Sequence, residues 1–415
     1  MPDLACSTRI VVAQLGRRMR YGVPRILADR GVLGAFYTDS YRSAWSADLF
    51  VRLGRAFGEH FLVRCGERYC EQIPHDKVYQ FPLYAISYWL GRHLAASYVG
   101  ARCVSLLANR WFARRVARAH SWSSVDAAYC FSGAALEILE ECRRTGVRGV
   151  LEQFIAPTEV QLRELGLERE AFPGWERTHT ARAFGIQEFI RREQMEWDAA
   201  NLIVCPSNYV RRGLAECGVR ESKIVVVPYG VERPDHVASG PTVQEERPLR
   251  VAYVGSVELR KGIQYLMHAL ESEVPPMDVR AVGPVAVSTE ARRRLERSMT
   301  LVGSVPSSTV WRVYRWADVL VLPSVCEGSA TVVYEALSRG VPAVVTDHTG
   351  SVVENGVDGF IVPVRDPEAL RGALIELAQE RELLSDMRTA AFRKGAYCSL
   401  HEYGKRLSAA LSVVS

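Results

Sequence analysis

Short apolar runs rich in valine and isoleucine alternate along the chain with longer stretches in which apolar residues recur every three or four positions. The short runs predict buried strands, and the longer stretches predict helices that cover a sheet. Because this alternation occurs twice, we predict an α/β protein with two parallel sheets. The predicted strands of the first half are 9–15, 32–39, 125–131, 148–154 and 201–207. Those of the second half are 249–255, 278–284, 301–305, 317–324 and 342–347.

The stretch 223–250 separates the two halves, since it runs from a strand into a segment dense in Pro, Gly, Ser and charge. A chain of 415 residues also exceeds what one hydrophobic core usually supports. We therefore predict a first domain over 1–235, a second over 246–395, and a terminal helix over 396–415 that crosses back to the first domain. Within the first domain, the stretch 45–120 is predicted as a helical insertion rich in Arg and aromatic residues.

The composition is that of a globular protein, with 48% hydrophobic and 24% charged residues. Arg and His interrupt the most apolar stretch, so no window offers the roughly 18 apolar residues of a spanning helix. The first residues lack the basic start and long apolar run of a secretion signal, which favours a cytoplasmic protein. Ten cysteines in a chain of this length are too dilute for a disulfide framework, and we expect reduced thiols.

Positive charge is concentrated at one end of the chain. Residues 1–120 hold 18 Lys and Arg against 8 Asp and Glu, whereas the whole chain carries a net charge of only +5. The bias favours a negatively charged partner, such as anionic lipid, a phosphate-bearing acceptor or nucleic acid, unless it reflects drift towards Arg. Trp45, Trp89, Trp111 and the basic run 110–120 suit a helix lying on an anionic membrane surface, or a core helix with a solvated basic face.

The segment 319–347 carries the densest chemistry. Glu327 follows an apolar strand directly, and open α/β sheets bind ligands at the carboxyl ends of their strands. Ser329 is predicted to cap the next helix, whose first amides, up to Val332, would suit a diphosphate. Glu335 would lie about one turn further along the same helix, where its carboxylate could accept hydrogen bonds from a ribose diol.

A second strand-to-helix junction, within 251–270, carries Arg260 and Lys261. Two cations at this edge could neutralise a pyrophosphate leaving group, unless they are ordinary solvated charges at a helix start. The chain contains no Asp-x-Asp sequence, and we expect the reaction to proceed without a metal or other cofactor.

Glu327, seven residues and then Glu335 form a recognisable pattern, preceded by a strand ending LPS and followed by EAL-x-x-G-x-P. This pattern resembles the signature of glycosyltransferase family 4, and the stretches 201–219 and 223–231 are also similar to that family. The resemblance implies the GT-B fold, in which two Rossmann-like domains face a central cleft. It also implies transfer of a sugar from a nucleoside diphosphate sugar with retention at the anomeric carbon.

The resemblance assigns roles to individual positions. Glu335 would bind the donor ribose, Glu327 would contact hydroxyls of the donor sugar, and the backbone after Gly328 would meet sugar and phosphate. The family often carries an Arg where this chain has Ser256, and Arg260 would supply that charge from the other end of the loop. The predicted catalytic residues are Glu327, Arg260 and Lys261. The predicted donor-binding residues are Gly255, Ser256, Gly303, Val305, Gly328, Ser329, Ala330, Thr331, Val332 and Glu335.

The acceptor side is less clearly marked in the sequence. Gly16 permits a tight turn after the first strand, and Arg17, Arg18 and Arg20 follow it. These arginines would recognise an acidic acceptor or the donor phosphate, or else form a solvated basic loop. Members of the resembled family commonly place a His after the fourth strand of the first domain. The corresponding stretch here has none, and Glu152 or Gln153 would take its place.

We therefore expect a glycosyltransferase acting on a nucleotide sugar and on a sugar, lipid-linked or other small acceptor, in glycan or polysaccharide biosynthesis. The expected location is the cytoplasm, with peripheral contact to the inner face of the cell membrane. One alternative is a nucleotide-sugar 2-epimerase of the same fold, and another is a non-catalytic nucleotide-sugar-binding protein. A nucleic-acid partner would leave the donor pattern unused, so we expect none.

Overall fold

The computed structural model describes residues 8–42, 67–82, 98–176, 185–233 and 247–412, together with positions 46, 52, 84, 88 and 91. These residues form two α/β units, each built around one parallel sheet. The middle of the predicted linker, 234–246, and parts of the basic insertion, including Trp45 and Trp89, lie outside the described residues.

The first sheet has seven strands in the order β3-β2-β1-β4-β5-β6-β7, and all of its pairings are parallel. Its strands are β1 Ile10–Ala13, β2 Leu33–Thr38, β3 Val78–Gln80, β4 Ala127–Phe131, β5 Arg148–Glu152, β6 Leu202–Cys205 and β7 Ile224–Val226. The helices of this unit are α1 Gly22–Asp29, α2 Tyr98–Ala119, α3 Leu136–Thr145, α4 Thr158–Ala171, α5 Ile186–Ala199 and α6 Asn208–Glu216. The strand order reverses between β1 and β4, which is where such sheets open a ligand crevice.

The second sheet has six parallel strands in the order β10-β9-β8-β11-β12-β13. They are β8 Leu249–Val254, β9 Met277–Val282, β10 Thr300–Gly303, β11 Val319–Leu322, β12 Ala343–Thr346 and β13 Gly359–Val362. The helices are α7 Ile263–Leu270, α8 Thr289–Leu295, α9 Val310–Trp316, α10 Thr331–Leu337, α11 Pro367–Gln379 and α12 Arg381–Tyr397. Here the order reverses between β8 and β11.

The last described helix, α13 Leu400–Ser412, packs on α1 of the first unit. A Cβ atom at Gly404 would lie 3.3 Å from Ile26, so the two helices approach closely. Tyr403 is fully buried, and its ring lies 6.0 Å from that of Tyr229. The amide of Val231 donates to the carbonyl of Cys398 (2.8 Å), which ties the end of the first unit to the start of this helix.

The predicted α/β class with two parallel sheets is confirmed, and each of the ten predicted strands is present. The edge strands β3 and β13 were missed because neither is a fully buried apolar run: the residues of β3 are half-buried or exposed, and only Gly359 and Val362 of β13 are buried. The stretch 45–120, predicted as a helical insertion, also contains the strand β3. The described part of that insertion contains β3 and the helix α2.

The cysteines in the described part of the chain are free thiols, namely Cys70, Cys130, Cys142, Cys205, Cys217, Cys326 and Cys398. Among the described residues, no helix combines the length and the apolar character needed to cross a membrane.

A buried clasp joins the two units, formed by Glu168 on α4 with Arg365, Gln264 and Tyr265. The Glu168 carboxylate is inaccessible to solvent and accepts hydrogen bonds from Arg365 Nε (2.7 Å), Gln264 Nε2 (2.6 Å) and the Tyr265 hydroxyl (2.9 Å). A buried carboxylate is stable only with such partners, and all three come from the other unit. The clasp therefore holds the carboxyl edges of the two sheets towards each other.

Candidate active site

Two loops of the second unit meet because β8 and β11 are adjacent and parallel. One loop follows β8 and ends at Gly262, and the other follows β11 and contains Glu327. The Arg260 carbonyl accepts a hydrogen bond from the amide of Val325 (2.9 Å). Gly262 has a φ of +73°, and a Cβ there would lie 1.9 Å from the carbonyl oxygen of Pro323, so only glycine fits this crossing.

An ion cluster lies at this crossing. Glu327 Oε1 lies 2.6 Å from Lys261 Nζ and 2.8 Å from Arg260 Nη1, and Arg260 Nη2 lies 2.7 Å from Glu258 Oε1. Burial by itself would raise the pKa of Glu327, but the Lys261 ammonium and the Arg260 guanidinium outweigh it and hold that pKa below its ordinary value. The structure thus brings together all three residues predicted as catalytic.

Glu335 lies further along α10, where the Tyr314 hydroxyl of α9 donates to its Oε2 (2.8 Å). This hydrogen bond fixes one carboxylate oxygen of Glu335. The side chain is half-exposed, so its other carboxylate oxygen is available to a ligand. The predicted position of Glu335 on the helix that follows Glu327 agrees with the structure.

The predicted capping role of Ser329 is wrong. Helix α10 begins at Thr331 with Ala330 as its N-cap residue, and no side chain caps it. Ser329 is buried, and its hydroxyl instead contacts the Tyr334 hydroxyl (2.7 Å) and the Gly350 carbonyl (2.7 Å). Since this helix has only seven residues, the charge of a phosphate would have to be met mainly by side chains.

Glycines lie where the remaining loops of the second unit leave their strands. Gly255 has a φ of +149°, and a Cβ there would lie 3.0 Å from the side chain of Lys261. Ser256 follows it and accepts a hydrogen bond from the Tyr253 hydroxyl at its carbonyl (2.8 Å). Gly303 ends β10, and Val305 is half-buried in the loop leading to α9.

A cavity of about 340 Å³ lies between the two units, in front of the ion cluster. Its second-unit wall is formed by Arg260, Glu327, Gly328, Ser329 and Thr331. Its first-unit wall is formed by Arg18, Met19, Glu152, Phe154, Ile155 and Tyr229. The other predicted second-unit residues do not line it, namely Gly255, Ser256, Lys261, Gly303, Val305, Ala330, Val332 and Glu335.

The units touch directly beside this cavity. A Cβ on Gly328 would lie 1.9 Å from the carbonyl oxygen of Phe154, so no larger residue fits without moving the first unit. Ser207 at the start of α6 donates to the Gly328 carbonyl (2.5 Å), and the rings of Tyr209 and His348 stack at 4.4 Å. The observed arrangement is therefore a closed one.

The three arginines after β1 point in different directions. Arg17 pairs with Glu67 (2.9 Å) and Arg20 pairs with Glu232 (2.6 Å), both away from the cavity. The prediction that Arg17 faces the cleft is therefore wrong, because its guanidinium is held by Glu67. Arg18 alone turns into the cavity, with its guanidinium carbon 3.2 Å from the centre of the Phe154 ring.

Glu152 and Gln153 have different surroundings, although they are neighbours in sequence. The Glu152 carboxylate lines the cavity and accepts hydrogen bonds from the hydroxyls of Tyr129 (2.6 Å) and Tyr229 (2.8 Å). Burial raises the pKa of Glu152, although these two hydroxyls and Arg18 oppose the effect. Gln153 is fully buried and bonded to Glu193 (2.8 Å) and Trp197 (3.0 Å), so its predicted contact with substrate is wrong.

A second cavity of about 290 Å³ lies within the first unit, on the other side of Arg18 and Phe154. It is lined by Gly16, Asp39, Arg68, Tyr84, Asn109 and other residues. Asp39 accepts hydrogen bonds from the Gly16 amide (3.0 Å) and from Arg68 (2.6 Å), which fixes the turn after β1. Asp39 was not predicted from the sequence, although it is the last residue of a predicted strand. Phe154 was also missed, because an apolar side chain does not mark a binding site.

The second unit is similar to a known protein family. Residues 248–380 match the family model described as glycosyl transferases group 1. The match covers the part of the chain from β8 to α11. It contains the whole ion cluster and Glu335.

The chain also resembles several curated proteins over part of its length. D-inositol 3-phosphate glycosyltransferase of Geodermatophilus obscurus is 29% identical over 47% of this chain and 49% of its own length. The amylovoran biosynthesis glycosyltransferase AmsK of Erwinia amylovora is 26% identical over 44% of this chain and 48% of its own length. The matched region thus spans about half the length of these relatives.

The likeness in structure extends over both units. The crystal structure of HepE from Anabaena in complex with UDP and glucose superposes with a TM-score of 0.64 at 13% identity, covering 98% of this chain and all of HepE. At this identity the likeness concerns the fold, and the predicted GT-B architecture is confirmed.

Proposed function

We propose that the chain is a glycosyltransferase that moves a sugar from a nucleoside diphosphate sugar to an acceptor held by the first unit. The observation that carries this proposal is the Glu327, Arg260 and Lys261 cluster, which faces Arg18 and Glu152 across one cavity. Such a cavity offers a carboxylate for sugar hydroxyls and cations for a leaving diphosphate. The family of the second unit supports the same chemistry.

The roles in this proposal follow from the contacts. Glu327 is held anionic by two cations, so it would accept hydrogen bonds from hydroxyls of the donor sugar. Arg260 and Lys261 would oppose the charge that develops on the leaving diphosphate. Glu335, with one oxygen already bonded to Tyr314, would accept hydrogen bonds from the ribose at its other oxygen.

Retention at the anomeric carbon is proposed from the resemblance to glycosyltransferase family 4. We also propose that no metal takes part, because arginine and lysine side chains stand where a metal would otherwise meet the diphosphate. Glu327 itself is unsuited to act as a general acid, since its pKa lies below the ordinary carboxylate value.

The acceptor in this proposal is a sugar or a sugar-bearing molecule in glycan or polysaccharide biosynthesis. The relatives support this class, because one is a D-inositol 3-phosphate glycosyltransferase and another an amylovoran biosynthesis glycosyltransferase. The second cavity would hold it, with the polar groups of Asp39 and Asn109 beside the aromatic ring of Tyr84. Aromatic faces with a few polar groups suit a ring with hydroxyls.

The test is incubation of the purified chain with a panel of nucleotide sugars while free nucleotide and sugar isomers are both followed. We expect nucleotide release with at least one donor, and its loss in Glu335→Ala. The control Glu216→Gln alters an exposed pair with Arg163 and should leave release unchanged. A sugar isomer without nucleotide release would indicate an epimerase instead, and tight binding without turnover would rule out an enzyme.

We further propose that α2 contacts an anionic membrane. Its exposed face combines charge with two apolar side chains, as shown by Leu107, Arg110, Trp111, Arg114, Arg115 and Arg118. This combination suits a helix lying at a lipid surface. Flotation with phosphatidylserine vesicles should show binding at low salt that weakens at high salt, and a double Arg115→Gln, Arg118→Gln variant should bind less. No binding at low salt would contradict this proposal.

A further inference from the structure

The cations of the second-unit wall are already matched by carboxylates. Arg260 and Lys261 contact Glu327, and Arg260 also contacts Glu258. The cluster therefore contains two positive and two negative formal charges and has no net charge. A diphosphate brings at least two negative charges into the same cavity, and this cluster alone cannot neutralise them.

Arg18 differs from the other arginines near the cavity. Within the described part of the chain, its guanidinium makes no hydrogen bond and no ion pair within 4.0 Å, whereas Arg17 and Arg20 each have a glutamate partner. It stacks on Phe154 and lies 5.9 Å from the centre of the Phe131 ring. Burial lowers the pKa of Arg18, partly against the effects of Tyr229 and Glu152. Arg18 is half-buried, and withdrawing a cation even partly from water without a polar partner costs free energy.

The backbone that positions Arg18 is itself unusual. Met19, Arg20 and Tyr21 have φ values of 45°, 51° and 62°, in the left-handed region that residues other than glycine seldom occupy. Each such residue costs on the order of 1 kcal/mol. Successive strained residues of this kind occur at ligand sites, where surrounding contacts maintain them. Here Asp39 fixes Gly16, and the fully buried Tyr21 fixes the other end of the turn.

Glu152 does not cancel the charge of Arg18 by direct contact. Its two carboxylate oxygens accept from Tyr129 and Tyr229, and burial raises its pKa, which favours the neutral form. Of the two described arginines on the cavity wall, Arg260 is in contact with carboxylates and Arg18 is not, so Arg18 adds a positive charge that no carboxylate in contact offsets.

We infer that Arg18 binds the sugar-linked phosphate of the donor and neutralises it as the nucleoside diphosphate leaves. This inference rests on the proposed function. The first unit supplies Arg18, and the ribose site at Glu335 belongs to the second unit, so the phosphate nearest to Arg18 is the one remote from the ribose. The planar guanidinium can contact two phosphate oxygens at once. Arg18 thus supplies, from the opposite domain, the positive charge that Ser256 does not provide.

Calorimetric binding of UDP, GDP and ADP, each compared with its monophosphate, tests the inference. For the nucleotide that the wild-type chain prefers, we expect Arg18→Gln to reduce the preference for diphosphate over monophosphate by about tenfold, the usual value of one charge-assisted contact. Arg18→Lys keeps the charge but loses the planar contact and should give an intermediate value. Arg20→Gln, which alters the neighbouring pair with Glu232, should change nothing.

The possible outcomes distinguish a failure of the proposed function from a failure of the inference about Arg18. If the wild-type chain binds none of these nucleotides, the proposed function fails. If it binds them and Arg18→Gln keeps the preference for the diphosphate, the inference is overturned while the proposed function stands. An unchanged preference together with a raised acceptor KM would assign Arg18 to an anionic acceptor, which also overturns the inference. If Arg18→Gln fails to fold, as judged by thermal melting, the Arg18→Lys comparison decides.

Discussion

The two walls of the central cavity are assembled in different ways. The second-unit wall comes from two strand-to-helix junctions whose strands are neighbours, and its charged groups hold one another in place. The first-unit wall combines Arg18 after β1, Glu152 and Phe154 at the end of β5, and Tyr229 before the linker. The terminal helix supports this wall through Tyr403. The second-unit wall can be predicted from a short sequence motif. The first-unit wall forms only because segments that are distant in sequence meet in the fold.

Each wall also contains a buried carboxylate, and the pKa values of the two are shifted in opposite directions. Burial is the largest influence on the pKa of both Glu327 and Glu152, and in both cases it favours the neutral form. Two cations in contact reverse this effect at Glu327, but two tyrosine hydroxyls do not reverse it at Glu152. Carboxylates whose pKa values are pushed apart in this way have different chemical roles. Glu327 suits a permanent negative charge, and Glu152 suits a group that can be neutral.

The largest expected effect is that of Glu327→Gln on the rate of transfer. Without its charge, Arg260 and Lys261 lose the group that fixes them, and we expect kcat/KM to fall by about 100-fold or more. Steady-state nucleotide release measures this, with Glu216→Gln as the control. A rate within twofold of the wild type would show that the cluster only stabilises the domain.

Gly328→Ala tests the contact between the walls. A Cβ there would meet the Phe154 carbonyl at 1.9 Å, so the units must move apart, and a displacement of about 1 Å at a reacting centre can cost roughly 100-fold. We expect a loss of about ten- to 100-fold in transfer, with nucleotide binding retained by the second unit. Gly372→Ala on α11, where a Cβ would meet open space, is the matched control. Unchanged transfer would mean that the closed contact is not required.

Glu168→Ala tests whether the first-unit wall depends on the clasp. Removing the carboxylate removes the acceptor that Arg365, Gln264 and Tyr265 share and leaves Arg365 paired with Glu164 alone (2.8 Å). Because buried donors then lose their acceptor, we expect the free energy of unfolding to fall by about 2 kcal/mol in urea denaturation. Glu216→Ala removes an exposed partner of Arg163 and should cost less than about 1 kcal/mol. Equal effects of the two substitutions would mean that the clasp is no stronger than a surface pair.

The smallest expected effect is a difference in pH dependence between the two carboxylates. The raised pKa of Glu152 means that its contribution to stability is complete below the unfolded value, about 4.3, and is lost as the pH rises through the folded value. The lowered pKa of Glu327 means that its contribution is present above the unfolded value and lost as the pH falls. Urea unfolding at pH 5 and pH 8 measures both.

Relative to the wild type, Glu152→Gln should therefore become more stable on going from pH 5 to pH 8. Glu327→Gln should change in the opposite direction or not at all between those values. The same sign of change in both variants would contradict the contrast between the walls.

The sequence alone determined the two parallel sheets, the order of ten strands and the junctions that carry Arg260, Lys261, Glu327 and Glu335. It could do so because these features are local: apolar periodicity marks each strand, and a loop that follows a strand must reach the carboxyl edge of the sheet. Only the tertiary structure decided which way individual side chains turn. It directed Arg17 to Glu67 and Arg18 into the cavity, and it placed Gln153 in the core. It also placed Phe154 against Gly328 and brought Tyr129 and Tyr229 to Glu152. Those directions follow from backbone angles in one turn and from contacts between segments more than 20 residues apart, which no local pattern encodes.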